Sequence, residues 1–267
     1  DQILKRLSPA YPWKEQLHYF PSIGSTNDHI RTLAKAGAPH GTVVIANHQT
    51  GGRGRRGRSF HSPKGAGVYL SILLRPDCVP TQLMHLTCAA GLYTCLAVET
   101  AAPDPLPVGI KWANDLVIGR RKLGGILTEI SVDPASGKVD WAVIGIGINC
   151  NTVEFAPELR EIAESLCSFC GRVDIMRLRD ALVARLQELD RGLFSQKEAW
   201  MREFSEHCLT VGKPVRLLRA GTCTEAIIRW LEKGMTGLSI NESDGSNDAT
   251  EIPSQDAGPS NTPPRIH

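Results

Sequence analysis

The chain has 267 residues, 42% of them hydrophobic, and a formal net charge of +2. That suffices for one sizeable core with a small appendage, and is too close to neutral for a protein that grips a long polyanion through a basic face. No apolar run reaches membrane-span length, and Asp1 to Phe20 lack the apolar centre of a signal peptide.

In chain order, Ser25-Thr26-Asn27-Asp28 has the form of a capping box, with Ser25 at the N-cap and Asp28 three residues on. Ile30, Leu33 and Ala34 then carry helical spacing to a stop near Gly37 and Pro39. Thr42 to Asn47 is a β-branched run, and Val68 to Leu74 reads as a second, buried strand. A long apolar helix is expected from Thr81 to Thr100, closed by prolines at 103, 105 and 107. Strands follow at about 108–112, 115–118, 123–131 and 139–148, with hairpin turns at Gly119-Arg120 and at 133–137 joining the last three. Helices are expected at about 157–170 and 174–208. Strands and helices without regular βαβ alternation argue for an α+β domain around a mixed or largely antiparallel sheet. From Gly212 onward short strands (215–218, 225–230, 237–240) suggest a small β module. The reading therefore divides the chain into a domain at 1–209, a β module at 210–240 and a polar, mobile tail at 241–267.

Eight cysteines are scattered along the chain, mostly in apolar segments, as expected of reduced thiols in a cytoplasmic protein. Cys167 and Cys170 form a lone Cys-x-x-Cys with no second pair at zinc-site spacing, so no metal site is expected.

The segment with most chemistry is Gly51 to Ser59, Gly-Gly-Arg-Gly-Arg-Arg-Gly-Arg-Ser. Glycine lets a backbone approach a ligand closely, and arginine presents a charged fork suited to phosphate or carboxylate. Of the 30 Lys and Arg, four lie in this loop, and the other 26 face 28 Asp and Glu. Positive charge is thus concentrated at one place, which suits a small anion. Gly52-x-x-x-x-Gly57-Arg58-Ser59 approaches a Walker A pattern, but Pro63, Gly65, Gly67 and then a strand follow where a P-loop needs a helix. Gly145-Ile146-Gly147-Ile148-Asn149 likewise lacks the third glycine and helix of a dinucleotide fingerprint. Lys111-Trp112-Ala113-Asn114-Asp115 sits at a strand-to-strand turn, where it reads either as a fixed counter-charge or as a turn chosen for Asn-Asp. The glycines of Arg121-Lys122-Leu123-Gly124-Gly125-Ile126-Leu127-Thr128-Glu129 mark a strand packed against something close.

In this order and spacing, Ser25-Thr26-Asn27, the loop from Gln49 to Arg58, Lys111-Trp112-x-Asn114-Asp115, Arg121-Lys122-Leu123-x-Gly125-Ile126-Leu127 and Gly145-x-Gly147-x-Asn149 resemble the biotin–protein ligases. The likeness is close over about 20–150 and looser to about 240. It implies an α+β catalytic domain related to class II aminoacyl-tRNA synthetases, with a mixed sheet flanked by helices and a small C-terminal SH3-like module. It also implies biotin activation by ATP and Mg²⁺ to biotinyl-5′-AMP, then transfer to one lysine of a biotin carboxyl carrier domain. Carried over by position, Ser25, Thr26, Asn27, Gln49, Gly52, Arg53, Gly54, Arg55 and Lys111 would bind biotin. Arg55, Arg56, Arg58, Asn114, Asp115, Lys122 and Asn149 would face ATP, and Lys111, Arg53 and Arg55 would carry the chemistry. Ala113 and Phe60 stand where the family commonly has Pro and Trp. About twenty residues before Ser25 leave no room for a DNA-binding module, so no nucleic-acid partner is expected, and a homodimer is possible in such a family. Two other readings are a lipoate or octanoate ligase or transferase on the same fold, and a nucleic-acid-binding module using the Gly-Arg run.

Overall fold

The computed structural model describes residues 13–219 and the strand segments 222–230, 238–242 and 265–266. Its centre is a seven-stranded sheet of β1 (Leu17–Phe20), β2 (Val43–Ala46), β3 (Gly67–Leu74), β4 (Val108–Lys111), β5 (Asp115–Ile118), β6 (Arg121–Val132) and β7 (Val139–Asn149). The spatial order is β1-β2-β3-β7-β6-β5-β4. β1 and β2 run parallel and every other pair is antiparallel, which is the mixed α+β sheet expected.

Alternation along the inner strands divides the side chains between two cores. Val44, Leu73 and Val143 point to one face, where α1 (Thr26–Lys35) covers them with Ile30 and Ala34. Val43, Ile45, Leu70, Ile72 and Ile144 belong to the larger core on the other face. There α2 (Leu86–Ala101), apolar nearly all round, lies between the sheet and two outer helices, α4 (Ile175–Gly192) and α5 (Lys197–His207). A helix without a polar face is stable only when enclosed in this way. β3 is buried along its whole length because helices cover both of its faces.

Three expected boundaries shift. The long helix from Thr81 begins as a 3-10 turn (Pro80–Leu83) and becomes α-helical at Leu86. The expected helix at 157–170 shrinks to the single turn α3 (Cys167–Cys170). Pairing with β6 overrides helical propensity there: Lys122 N–H donates to the Ile162 carbonyl, and Glu164 N–H donates to the Lys122 carbonyl. The expected helix at 174–208 is two helices, broken after Gly192, where the chain turns so that Trp200 and Phe204 can enter the core. Cys167 and Cys170 are free thiols on α3, and among the described residues no group of three or more His, Cys, Asp or Glu could hold a metal.

Beyond the sheet, β8 (Pro214–Arg219), β9 (Thr222–Trp230), β10 (Leu238–Glu242) and β11 (Arg265–Ile266) form a four-stranded antiparallel sheet in the order β10-β9-β8-β11. Most of the expected tail at 241–267 lies outside the described residues.

His85 is the N-cap residue of α2 and is buried, and its Nδ1 has no hydrogen-bond partner. Burial, aided by Lys197, pushes its pKa down to about 4 from 6.5, and the positive end of α2 opposes an imidazolium as well. A base depressed in the folded state stays neutral there while the unfolded chain binds a proton, so the stability of the fold decreases as pH drops from about 6.5 to about 4. Urea unfolding across that range should show this slope in the wild type and a shallower one in His85→Gln. Parallel profiles would remove His85 as its source.

Candidate functional site

The capping expectation at the start of α1 is half met. Ser25 is the N-cap, and its Oγ accepts from Asp28 N at 3.4 Å. The Asp28 carboxylate instead accepts from Arg53 at 2.6 Å and from Arg31 at 3.4 Å. The first residue after the cap reaches toward the basic loop: Thr26 N donates to Gln49 Oε1 at 2.8 Å, and Thr26 Oγ1 donates to the same oxygen at 3.1 Å. This fixes the Gln49 amide, whose Nε2 then donates to Ser62 Oγ at 2.9 Å. Gln49 therefore ties the α1 N-terminus to the far end of the loop.

The loop is closed at its base. Phe60 N donates to the Gly52 carbonyl at 2.8 Å, Gly54 N donates to the Arg58 carbonyl at 2.7 Å, and Arg53 bridges to Ser59. A Cβ at Gly52 would overlap the Phe60 carbonyl oxygen, so glycine is required for that closure. The tip (Arg55–Gly57) is a 3-10 turn in which Arg56 takes a left-handed conformation, φ 58°, followed by Gly57 at φ 72°. An arginine held there costs about 1–2 kcal/mol.

One cleft collects the chemistry. It is lined by Ser25, Thr26, Asn27 and Gln49, by Arg53, Gly54, Arg55 and Phe60 of the loop, and by Asn114, Lys122 and Gly125. Its floor is Ile126 and Leu127 of β6 with Gly145, Ile146 and Gly147 of β7. Segments about 100 residues apart in sequence thus meet at one end of the sheet. Each of its cations has a protein partner. Arg53 contacts Asp28 and Glu129, Arg55 Nη1 donates to Asn114 Oδ1 at 2.7 Å, and Lys122 Nζ donates to Asp115 Oδ1 at 2.7 Å. Burial lowers the Arg55 pKa, with Asp115 opposing that shift and Arg56 adding to it; a guanidinium remains charged regardless.

The remaining motif residues lie outside this lining. Lys111 ends β4 opposite Asp115, at the turn that presents Asn114. Asn114 is itself held to β6, where Ile126 N donates to its carbonyl at 2.8 Å. Gly52 closes the loop base, Arg56 and Arg58 are in the loop tip and its return, and Asp115 pairs with Lys122. Asn149, buried at the end of β7, donates to the Glu164 carbonyl at 3.1 Å.

Several members of the site have no role in the motif reading. Ser71, the single hydroxyl in the run from Val68 to Leu74 apart from the Tyr69 phenol, is fully buried, with Oγ 2.6 Å from Asn27 Oδ1 and 2.8 Å from Thr26 Oγ1. A polar residue interrupting an apolar strand is the available signal. Glu129 and Ser62 give none, since an acid on a strand and a serine in a loop are ordinary. Gly145 and Gly147 have a clear packing function. A Cβ at Gly145 would overlap the Asn27 carboxamide, and one at Gly147 would stand 2.5 Å from the Phe60 ring.

The chain matches the model of the biotin/lipoate A/B protein ligase family over residues 19–149. It is 40% identical over 159 residues to the bifunctional ligase/repressor BirA of Bacillus subtilis, across 59% of this chain and 48% of that protein. It thus spans about half the length of that relative. It is 33% identical over 212 residues to a biotin–[acetyl-CoA-carboxylase] ligase of Mycobacterium tuberculosis, across 77% of this chain and 75% of that one. A solved biotin protein ligase from Aquifex aeolicus, in complex with biotin and ATP, superposes with a TM-score of 0.67 at 27% identity, covering 85% of this chain and 95% of that chain.

If Gly145 is empty to admit Asn27, Gly145→Ala should cost about 2–4 kcal/mol, as an overpacked site that also loses buried hydrogen bonds. Asn27→Ala would remove the obstacle, so the double variant should lose clearly less than the two single losses combined. Urea unfolding of the four proteins provides the cycle; strict additivity would refute the contact.

Proposed function

The chain belongs to the biotin/lipoate A/B protein ligase family, and we propose that within it the protein is a biotin–protein ligase. The biotin carboxylate attacks the α-phosphorus of ATP. A C–O–P anhydride forms, the bond between the α-phosphorus and its bridging oxygen breaks, and pyrophosphate leaves. The ε-amine of a carrier lysine then attacks the acyl carbon, an amide forms and AMP departs, with the amine proton released. The observation that carries this reading is the single cleft in which Arg53, Arg55 and Lys122 converge with the polar start of α1. Biotin ligases among the relatives, and a structural neighbour holding biotin with ATP, favour biotin over lipoate.

The first step brings two anions together, so its barrier is in large part repulsion. Preorganised cations aimed at the developing charge reduce it, and in-line positioning supplies about 7–11 kcal/mol more. In this reading Ser25, Thr26 and Gln49 hold biotin, with Gly52 and Gly54 letting the loop backbone approach. Arg53 and Arg55 cover the reacting carboxylate. Lys111, on a flexible four-carbon stem beside Asn114, reaches the carboxylate and α-phosphate. Lys122, Asn114, Asp115, Arg56, Arg58 and Asn149 serve the nucleotide side. Mg²⁺ would arrive on the phosphates of ATP, since the described residues offer no cluster of three His, Cys, Asp or Glu for it. No side-chain nucleophile is required, because the substrate carboxylate attacks and the partner's lysine accepts. The acyl-adenylate is prone to hydrolysis, so the loop also serves to exclude water. The carrier is the biotin carboxyl carrier domain of a biotin-dependent carboxylase.

Biotin-dependent exchange of labelled pyrophosphate into ATP should be present in the wild type. It should fall about 100- to 1,000-fold in Lys111→Ala and in Arg55→Ala, with the circular dichroism spectrum kept. Transfer of labelled biotin to a carrier domain should fall in parallel. Exchange driven by lipoate instead of biotin, or undiminished in both variants, would refute the reading.

Trypsin offers an independent check on the loop, which carries arginines at 53, 55, 56 and 58. Cleavage there should be fast in the free protein and markedly slower with biotin and ATP present. Equal rates in the two conditions would exclude closure of the loop over ligand.

A further inference from the structure

Asn27 lines the cleft, yet its carboxamide is almost fully committed within the protein. The residue is 4% exposed. Its Oδ1 accepts from Ser71 Oγ at 2.6 Å, and its Nδ2 donates to Glu129 Oε2 at 3.0 Å and to the Leu127 carbonyl at 3.4 Å. A carboxylate and a carbonyl can only accept, so the amide has one orientation and both of its N–H bonds are in use. What remains for a ligand is one lone pair on Oδ1.

The partner that fixes this amide also reaches the loop. Glu129 accepts from Arg53 Nη1 at 3.3 Å and pairs with Arg31 Nη1 at 3.3 Å. Asp28 contacts the same two arginines, at 2.6 Å and 3.4 Å. Two carboxylates on α1 and β6 thus balance two guanidiniums, one of which is the first arginine of the loop. Glu129 differs from Asp28 in also holding the wall of the cleft through Asn27. Its side chain is 21% exposed against 54% for Asp28, so its bonds compete less with water.

We propose that Glu129 is a positioning residue for biotin: one carboxylate orients the Asn27 amide in the cleft wall and restrains Arg53 at the cleft mouth, so that wall and loop are set before ligand arrives. The inference rests on the biotin-activating reading of the same cleft. Glu129 touches no reacting atom here and acts through Asn27 and Arg53. Its loss raises the cost of organising the biotin end and leaves the nucleotide end, built on Lys122 and Asn114, as it was.

The test compares wild type, Glu129→Ala and Glu129→Gln in biotin-dependent pyrophosphate exchange and in equilibrium dialysis against labelled biotin. Wild-type exchange settles whether the biotin-activating reading stands, independently of either variant. Glu129→Ala should raise the biotin KM and Kd about tenfold or more, the scale of one charge-assisted hydrogen bond, while kcat and the ATP KM stay unchanged. Glutamine keeps a carbonyl acceptor for Asn27 but not the charge facing Arg53, so Glu129→Gln should fall between the two. In both variants trypsin should cut the ligand-free loop faster than in the wild type. A biotin KM unchanged in Glu129→Ala, or raised no more than the ATP KM, would overturn the proposal. Should the alanine variant fail to fold, a wild-type biotin Kd in Glu129→Gln together with unaltered trypsin cleavage would overturn it equally.

Discussion

Three of the four glycines on the strands of the central hairpin have no room for a Cβ, and the shape of the cleft depends on them. At Gly124 a Cβ would overlap the Gly147 carbonyl, at Gly145 the Asn27 carboxamide, and at Gly147 the Phe60 ring. Gly145 and Gly147 lie two residues apart on β7 and therefore face the same side of the sheet. One admits the wall of the site from α1, and the other admits the aromatic residue that ends the loop. The α1 N-terminus and the loop can meet over β7 only where that strand offers bare backbone. Any side chain here would lift both away and open the gap to water.

On this floor the cations are held without being trapped. Lys122 and Asp115 form a close pair, but their side chains are 38% and 28% exposed. A pair in that setting contributes at most about 1 kcal/mol, so a phosphate can displace the carboxylate at small cost. Arg55 rests on a neutral amide, Asn114 Oδ1, a weaker acceptor than any anion. Both groups can therefore exchange partners readily. Arg53 is different: it faces two carboxylates, with Arg31 sharing them. The end of the cleft built on Arg53 is thus the more rigid, and the end built on Lys122 and Arg55 the more adaptable.

How much of this is legible in the sequence depends on the range of the interaction. Elements with local signals read well: Ser25 as a cap, the β-branched run of β2, the apolar run of β3, and the hairpin at 133–137, where Asp133 caps its own turn. Elements decided by distant partners do not. The stretch at 157–166 has helical composition but forms turns that end in a bridge from Ala163 to Lys122 of β6, a contact with no trace in its own residues. The same divide runs through the site. Ser25, Thr26, Gln49 and the arginines stand in compact motifs, and most of them reach the cleft. Glu129 becomes visible only when the fold places it across 102 residues from Asn27. Gly145-x-Gly147 invites a reading in which glycine admits a ligand, whereas here it permits two other parts of the protein to approach.

The loop follows from the same logic. Its base is fixed by Gln49 to Ser62 and by Gly52 to Phe60, so a large excursion of the whole segment would break contacts that also hold the α1 N-terminus. The tip is held only by its own turn and by Gly54 N donating to the Arg58 carbonyl, and it contains the strained residue, Arg56. Motion is therefore best absorbed between Gly54 and Arg58, both of which flank the 3-10 turn in extended conformations. Arg55, the tip residue anchored to the β4–β5 turn, is the group such a motion would release or engage. A flap hinged in this way can cover a bound anion with one guanidinium while leaving the cleft wall at Asn27 undisturbed. Glycines at 52, 54 and 57 then have separate duties: close contact at the base, an extended hinge, and a left-handed turn at the tip.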